Sequence, residues 1–65
     1  MADISILRIK EVSARTGLKP EAIYRLGREG KFPRPVKISE FSSGWVASEV
    51  QDYLAQRLAA RDEIP

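Results

Sequence analysis

Arg25 and Arg28 stand one helical turn apart, and Lys19, Glu21 and Tyr24 precede them within the same short stretch, KPEAIYRLGR. Two arginines at that spacing reach neighbouring base edges or phosphates in one groove of a nucleic acid. A guanidinium can bond both acceptors of guanine at once, a contact worth about 1–3 kcal/mol of discrimination. The competing reading is a solvated helix face carrying a Glu21–Arg25 ion pair at i, i+4. Tyr24 can donate to a phosphate or pack on a thymine methyl, or else serve as a partly buried rim aromatic. Lys19, at the start of a helix, can join the first backbone amides in holding a phosphate, or be an ordinary surface lysine. Lys31, Arg34 and Lys37 follow on a proline-interrupted segment and suit the phosphate backbone beside the groove.

The charge distribution agrees with that chemistry. From Arg8 to Lys37 nine basic residues face three acids, a net +6; from Ile38 to Pro65 two basic residues face five acids, a net −3. A basic half joined to an acidic half suits a protein that lays one side on a polyanion, although an unevenly charged solvated surface gives the same count. The chain has no His and no Cys, so disulfides and the usual zinc sites are excluded and no nucleophile–base pair can be assembled. No phosphate-cradling glycine loop is present either. The chain therefore reads as a non-enzyme without metal or cofactor. It lacks a run of about 18 apolar residues, and Met1 to Ile9 has no long apolar signal region, so the expected location is cytoplasmic and nucleoid-associated.

The elements that must position these side chains are short. Sixty-five residues make one domain, of a size that buries only about 60% of its unfolded surface. The first helix is expected from about Lys10 to Thr16, with Val12 and Ser13 inward and Ile9 at its entrance. Gly17 can take the left-handed conformation that ends it, and Leu18 tucks beneath the pair. Pro20 suits the first turn of a second helix, Pro20 to Glu29. On a wheel of about 100° per residue, Ala22, Ile23 and Leu26 cluster opposite Glu21, Tyr24, Arg25 and Arg28. Gly27 costs that helix about 1 kcal/mol against alanine; it either admits a close neighbour or marks a fraying end. Gly30 reads as the cap.

Beyond it, KFPRPVKI is extended, with Phe32 as its apolar anchor. Val36–Ile38 and Gly44–Val46 read as two strands around a polar loop, Ser39–Ser43, with Trp45 and Ile38 packing onto the helices. From Ala47 to about Arg61, Val50, Tyr53, Leu54 and Leu58 recur at helical spacing and close the core. Trp45, after a glycine and before a helix, reads as core rather than as a base-stacking platform.

In order and spacing, the Thr-Gly-Leu turn, IYRLGREGKFPRPVKI (Ile23 to Ile38) and GWVASEVQDYL (Gly44 to Leu54) resemble the AlpA-like prophage regulators. These are small winged-helix proteins related to the MerR DNA-binding domain and to phage excisionases. The resemblance covers Leu7 to Arg61. It implies sequence-specific binding of duplex DNA by a transcriptional regulator of a prophage or mobile element, by a recombination directionality factor, or by a protein that is both. Two positions depart from the pattern. Lys19 stands where Ser or Thr commonly caps the second helix, a cap worth about 1 kcal/mol. Phe41 stands near the place where the wing usually carries an arginine.

The expected architecture is thus mainly α with a small two-stranded β-hairpin, a winged helix-turn-helix of three helices plus wing over residues 7–61, with a flexible lead (1–6) and tail (62–65). The expected DNA-contacting residues are Lys19, Glu21, Tyr24, Arg25, Arg28, Lys31, Arg34 and Lys37. The expected partner is double-stranded DNA, with a phage-type integrase or RNA polymerase as a protein partner, no membrane, and a monomer that self-associates on DNA. The rival reading is a small adaptor whose acidic last helix docks on an integrase or polymerase while DNA is bound weakly. Single-stranded or RNA binding would need exposed aromatics over a basic groove, and only Tyr24 and Phe41 are available.

Overall fold

The computed structural model describes residues 4–63. Its elements run β1 (Ile6–Leu7), α1 (Ile9–Thr16), α2 (Pro20–Arg28), β2 (Val36–Lys37), β3 (Ser43–Val46) and α3 (Ala47–Glu63). The three helices and the strand pair between α2 and α3 make a winged helix-turn-helix. The sheet differs from the expected hairpin in having a third strand: the order is β1-β3-β2, antiparallel throughout. Ile6 pairs with Val46 and Leu7 with Trp45, and the Ala47 amide donates to the Ser5 carbonyl at 2.8 Å. Ser5 and Ile6, expected in a loose lead, are therefore bonded into the fold. A two-residue strand is too short to show alternation and carries no periodic signal of its own. Residues 1–3 of the lead and 64–65 of the tail lie outside the described residues.

Burial follows from the pleat. Leu7 and Trp45, directly paired, point to the helices and join Val12, Ile23, Phe32 and Val50 in the buried core, with Ile9, Leu18, Leu26, Ala47, Tyr53 and Leu54 packed around them. Trp45 is the largest side chain there, and its indole Nε1 has no acceptor among the described residues. Its contribution is area: an aromatic buries about 150–250 Å². Phe32 meets Tyr53 edge-on with ring centroids 4.5 Å apart, which clamps the extended segment after α2 to α3.

Two expected core positions are corrected. Ile38 does not pack onto the helices but is 49% exposed. Lys37 is opposite Ser43, on the helix side of the sheet with Trp45, so alternation turns Val36 and Ile38 outward. Leu58 is 53% exposed, because α3 is 17 residues long, about 25 Å of helix at 1.5 Å per residue, and its core residues, Ala47, Val50, Tyr53 and Leu54, all lie in its first half.

Three glycines have separable roles. Gly30, at φ 75°, ends α2: its amide donates to the Gly27 carbonyl at 3.2 Å and that of Lys31 to Leu26 at 2.8 Å, the paired bonds of a Schellman cap. Gly44 lies where a Cβ would collide with Ile6 Cγ2 and sit 3.0 Å from the Leu7 carbonyl oxygen. Gly27 is buried near the end of α2, yet the nearest atom to a Cβ there is the Pro33 carbonyl oxygen at 4.0 Å. No close approach requires a glycine at that position. Gly27→Ala is therefore expected to stabilise the fold by about 0.5–1 kcal/mol in urea denaturation. Gly44→Ala is expected to destabilise it by about 1–3 kcal/mol, since a strand carbonyl cannot yield as a side-chain tip can.

Candidate nucleic-acid interface

The second helix is presented by a turn that is stitched on both sides. Gly17 takes φ 75° and its amide donates to the Ser13 carbonyl at 2.8 Å. The Ser13 hydroxyl donates to the Leu18 carbonyl at 2.6 Å. Thr16 Oγ1 donates to the Val12 carbonyl at 2.8 Å and accepts from the Leu18 amide at 3.2 Å. Both Leu18 backbone groups are thus satisfied by side chains of α1, and the chain leaves the turn in one direction. At the far end of α1 the Arg8 amide donates to the Glu11 carboxylate at 3.2 Å, half of a capping box.

Lys19 is the N-cap of α2 with extended backbone and no side-chain cap bond, and Pro20 fills the first helical position. The helix buries Ile23 and Gly27, half-buries Ala22 and Leu26, and exposes Glu21, Tyr24, Arg25 and Arg28. The wheel reading holds. Lys19, Glu21, Arg25 and Arg28 line one open groove with Gly17, Leu18 and Ala22, so the turn and the polar helix face form a continuous surface. Glu21 and Arg25 form no ion pair with each other, leaving the guanidinium available.

Tyr24 is a rim aromatic. Its ring lies against that of Trp45, with centroids 5.6 Å apart and planes tilted by 57°, and 44% of the residue remains exposed. The contact ties α2 to the central strand, and the Trp45 side of that strand also carries Ser43 and, opposite it, Lys37. Ser43 is a position that the sequence reading did not single out. A lone serine carries no signal until the register is known.

Lys31 and Arg34 lie elsewhere. They border a second open groove, between the segment after α2 and α3, whose other wall carries Glu49 and Asp52. Lys31 also pairs with Glu29 at 3.7 Å, an exposed contact of little energetic weight. The eight expected residues therefore divide: Lys19, Glu21, Arg25 and Arg28 on the α2 groove, Tyr24 at the junction with the wing, Lys37 on the wing, and Lys31 and Arg34 beside the acids of α3. Phe41, at the wing tip, is 91% exposed. Its amide donates to Ser39 Oγ at 3.4 Å, and the Ile38 amide closes the loop onto the Ser42 carbonyl at 2.8 Å.

Among the described residues no group of three or more acids could hold a metal ion, and no helix is long and apolar enough to cross a membrane. The family model described as prophage CP4-57 regulatory protein (AlpA) matches residues 5–58. The uncharacterized protein ORF88 of Enterobacteria phage P4 is 40% identical over 55 residues, an alignment that takes in 85% of this chain and 62% of that protein. The chain thus spans about three fifths of the length of that relative.

The stitched turn makes a stability prediction. Thr16→Val keeps the shape of the side chain but leaves the half-buried Leu18 amide without its acceptor. The expected loss is about 1–2 kcal/mol by chemical denaturation. An unchanged midpoint would show that Gly17 and packing alone hold the turn.

Proposed function

The chain belongs to the AlpA family of prophage regulatory proteins, and from that premise we propose that it binds duplex DNA sequence-specifically with α2 in the major groove. One observation carries this reading: the groove that joins the stitched turn to the exposed face of α2, with Lys19, Arg25 and Arg28 along it and no ion pair between Glu21 and Arg25. A helix held this way, nine residues long, offers base contacts near its middle and a lysine at its start for the backbone.

In this reading Arg25 and Arg28 address base edges, Glu21 shares their face, and Tyr24 reaches a phosphate or thymine methyl from its seat on Trp45. Lys19 and Lys37 hold the backbone on either side of the helix. Lys31 and Arg34 add phosphate attraction at longer range, tempered by Glu49 and Asp52 across their groove. The wing tip, with Glu40 and Phe41 in place of a basic residue, leaves the larger share of DNA contact to α2. The biological role is control of transcription in a prophage or mobile element, direction of recombination as an excisionase-like factor, or both, with a phage-type integrase or RNA polymerase as the protein partner and the nucleoid as the place of action.

Two substitutions separate base reading from backbone attraction. With a duplex selected by the protein from genomic fragments, Arg25→Ala is expected to lower specific affinity by about tenfold or more, with a much smaller loss on unrelated DNA. An equal loss on both would place Arg25 on phosphate alone. Lys37→Ala is expected to reduce the slope of log affinity against log salt by about one unit; an unchanged slope would remove Lys37 from the interface. Binding that never becomes sequence-selective at about 0.15 M salt would overturn the reading as a whole.

A further inference from the structure

The two sides of the wing differ in chemistry. Ile6, Val36 and Ile38 make the outer side aliphatic, whereas on the helix side Lys37 and Ser43 stand directly opposite each other. The Ile38 amide donates to the Ser42 carbonyl at 2.8 Å, so Ile38 and Ser42 form a hydrogen-bonded pair of the ladder. Antiparallel alternation then makes Lys37 and Ser43 a non-hydrogen-bonded pair, the kind whose Cα atoms are about 4.5 Å apart and whose side chains approach most closely. Both residues are exposed. The hydroxyls of Ser13, Thr16 and Ser39 are spent on backbone groups. Those bonds have no counterpart at Ser43, and Lys37 forms no ion pair among the described residues, not even with Glu40 midway along the loop between the two.

The pair also has a fixed neighbour. Trp45 is the next residue of β3 on the same side, about 7 Å along the strand, and its indole carries the Tyr24 ring at 5.6 Å. One aromatic step therefore joins the pair to the exposed side of α2.

We propose that Ser43 and Lys37 hold a single phosphate of the DNA backbone between them, the hydroxyl donating to one oxygen and the ammonium lending its charge to the same group. The inference rests on the reading of α2 as the DNA-contacting helix and adds to it a residue, Ser43, and a geometry. A lysine alone is a point charge on a flexible four-carbon stem and accepts a phosphate in many positions. A serine hydroxyl has one donor on a short arm, so together they define one place. Contacts of this kind set register and orientation and carry no sequence information directly. The consequence is that the DNA strand is located against the wing and, through Trp45 and Tyr24, against the side chains of α2.

The test uses the duplex that the intact chain selects from genomic fragments, remade with one neutral methylphosphonate linkage at a time. Wild type is expected to lose about tenfold in affinity at the linkage held by the pair. On the unmodified duplex Ser43→Ala is expected to bind several-fold more weakly, with the same sequence preference, the same slope of log affinity against log salt and the same thermal melt. It is also expected to become insensitive to that linkage while remaining sensitive to others, and Lys37→Ala to become insensitive to the same one. Ser43→Thr, which keeps the hydroxyl, is expected to restore both affinity and sensitivity. A folded Ser43→Ala that binds like the wild type would overturn the proposal and leave the pair to a carboxylate of a protein partner or to nothing. So would Ser43→Ala and Lys37→Ala variants blind to different linkages. In either case selective binding by the wild type, read in the same titrations, keeps the reading of α2 standing; failure to select any duplex would overturn that reading and this inference with it.

Discussion

The turn between α1 and α2 is the constraint on which the rest depends, because neither helix can stand without it. Helices of eight and nine residues are too short to persist in water on their own. Ser13 and Thr16 spend their hydroxyls on the backbone of Val12 and Leu18, three bonds between 2.6 and 3.2 Å, while Gly17 supplies the left-handed residue. Hydroxyl residues ordinarily weaken the end of a helix by competing for its carbonyls. Here that competition is what shapes the chain's exit from α1. With the exit direction set, Val12 and Ile23 both reach the core and the polar side of α2 is left to solvent.

The second organising element is β3. Each of its residues has a neighbour on one side of the sheet or the other: Leu7 beside Trp45, Lys37 beside Ser43, Ile6 beside Val46, Val36 beside Gly44. Trp45 carries the sheet onto the helices and receives Tyr24 from α2, so the wing and the exposed helix face are joined through one aromatic pair. The acids of α3 lie on a different side, facing Lys31 and Arg34. Electrostatic asymmetry in the sequence has thus become asymmetry in space, with Lys31 and Arg34 beside Glu49 and Asp52 and with Lys19, Arg25 and Arg28 gathered around Glu21 on the α2 groove.

Much of this was legible before the structure. The Thr16-Gly17-Leu18 turn, the proline opening α2 and the split of that helix into Ile23 and Arg25 sides are local rules, and local rules act within a few residues. Trp45 as core and Gly30 as cap were readable for the same reason. What escaped was set by pairing between distant residues. Ile6 gives no strand signal until Val46 is beside it, and Ile38 looks like core until the pairing of Lys37 with Ser43 turns it outward. Leu58 keeps helical spacing while lying beyond the core, because periodicity reports which face a residue is on and not whether another element extends far enough to cover it. On α2, spacing placed Glu21, Tyr24, Arg25 and Arg28 on the exposed side of the helix, but a basic count could not tell that Lys31 and Arg34 share their groove with Glu49 and Asp52.

Register decides which side of the small sheet each side chain takes. A slip of one residue along a strand exchanges its two sides, so moving β2 by one place would carry Lys37 to the aliphatic face and Val36 to the side of Trp45 and Tyr24. The strands themselves are too short to prevent this by pairing energy. Two features hold the register instead: the loop closed by the Ile38 amide on the Ser42 carbonyl at 2.8 Å, and Gly44, the one position on the middle strand that admits Ile6 and Ile38 over it. A larger residue at 44 would do more than lower stability. It would part the outer isoleucines and loosen the placement of Lys37 relative to α2, coupling a cavity-sized change on one side of the sheet to the charged surface on the other.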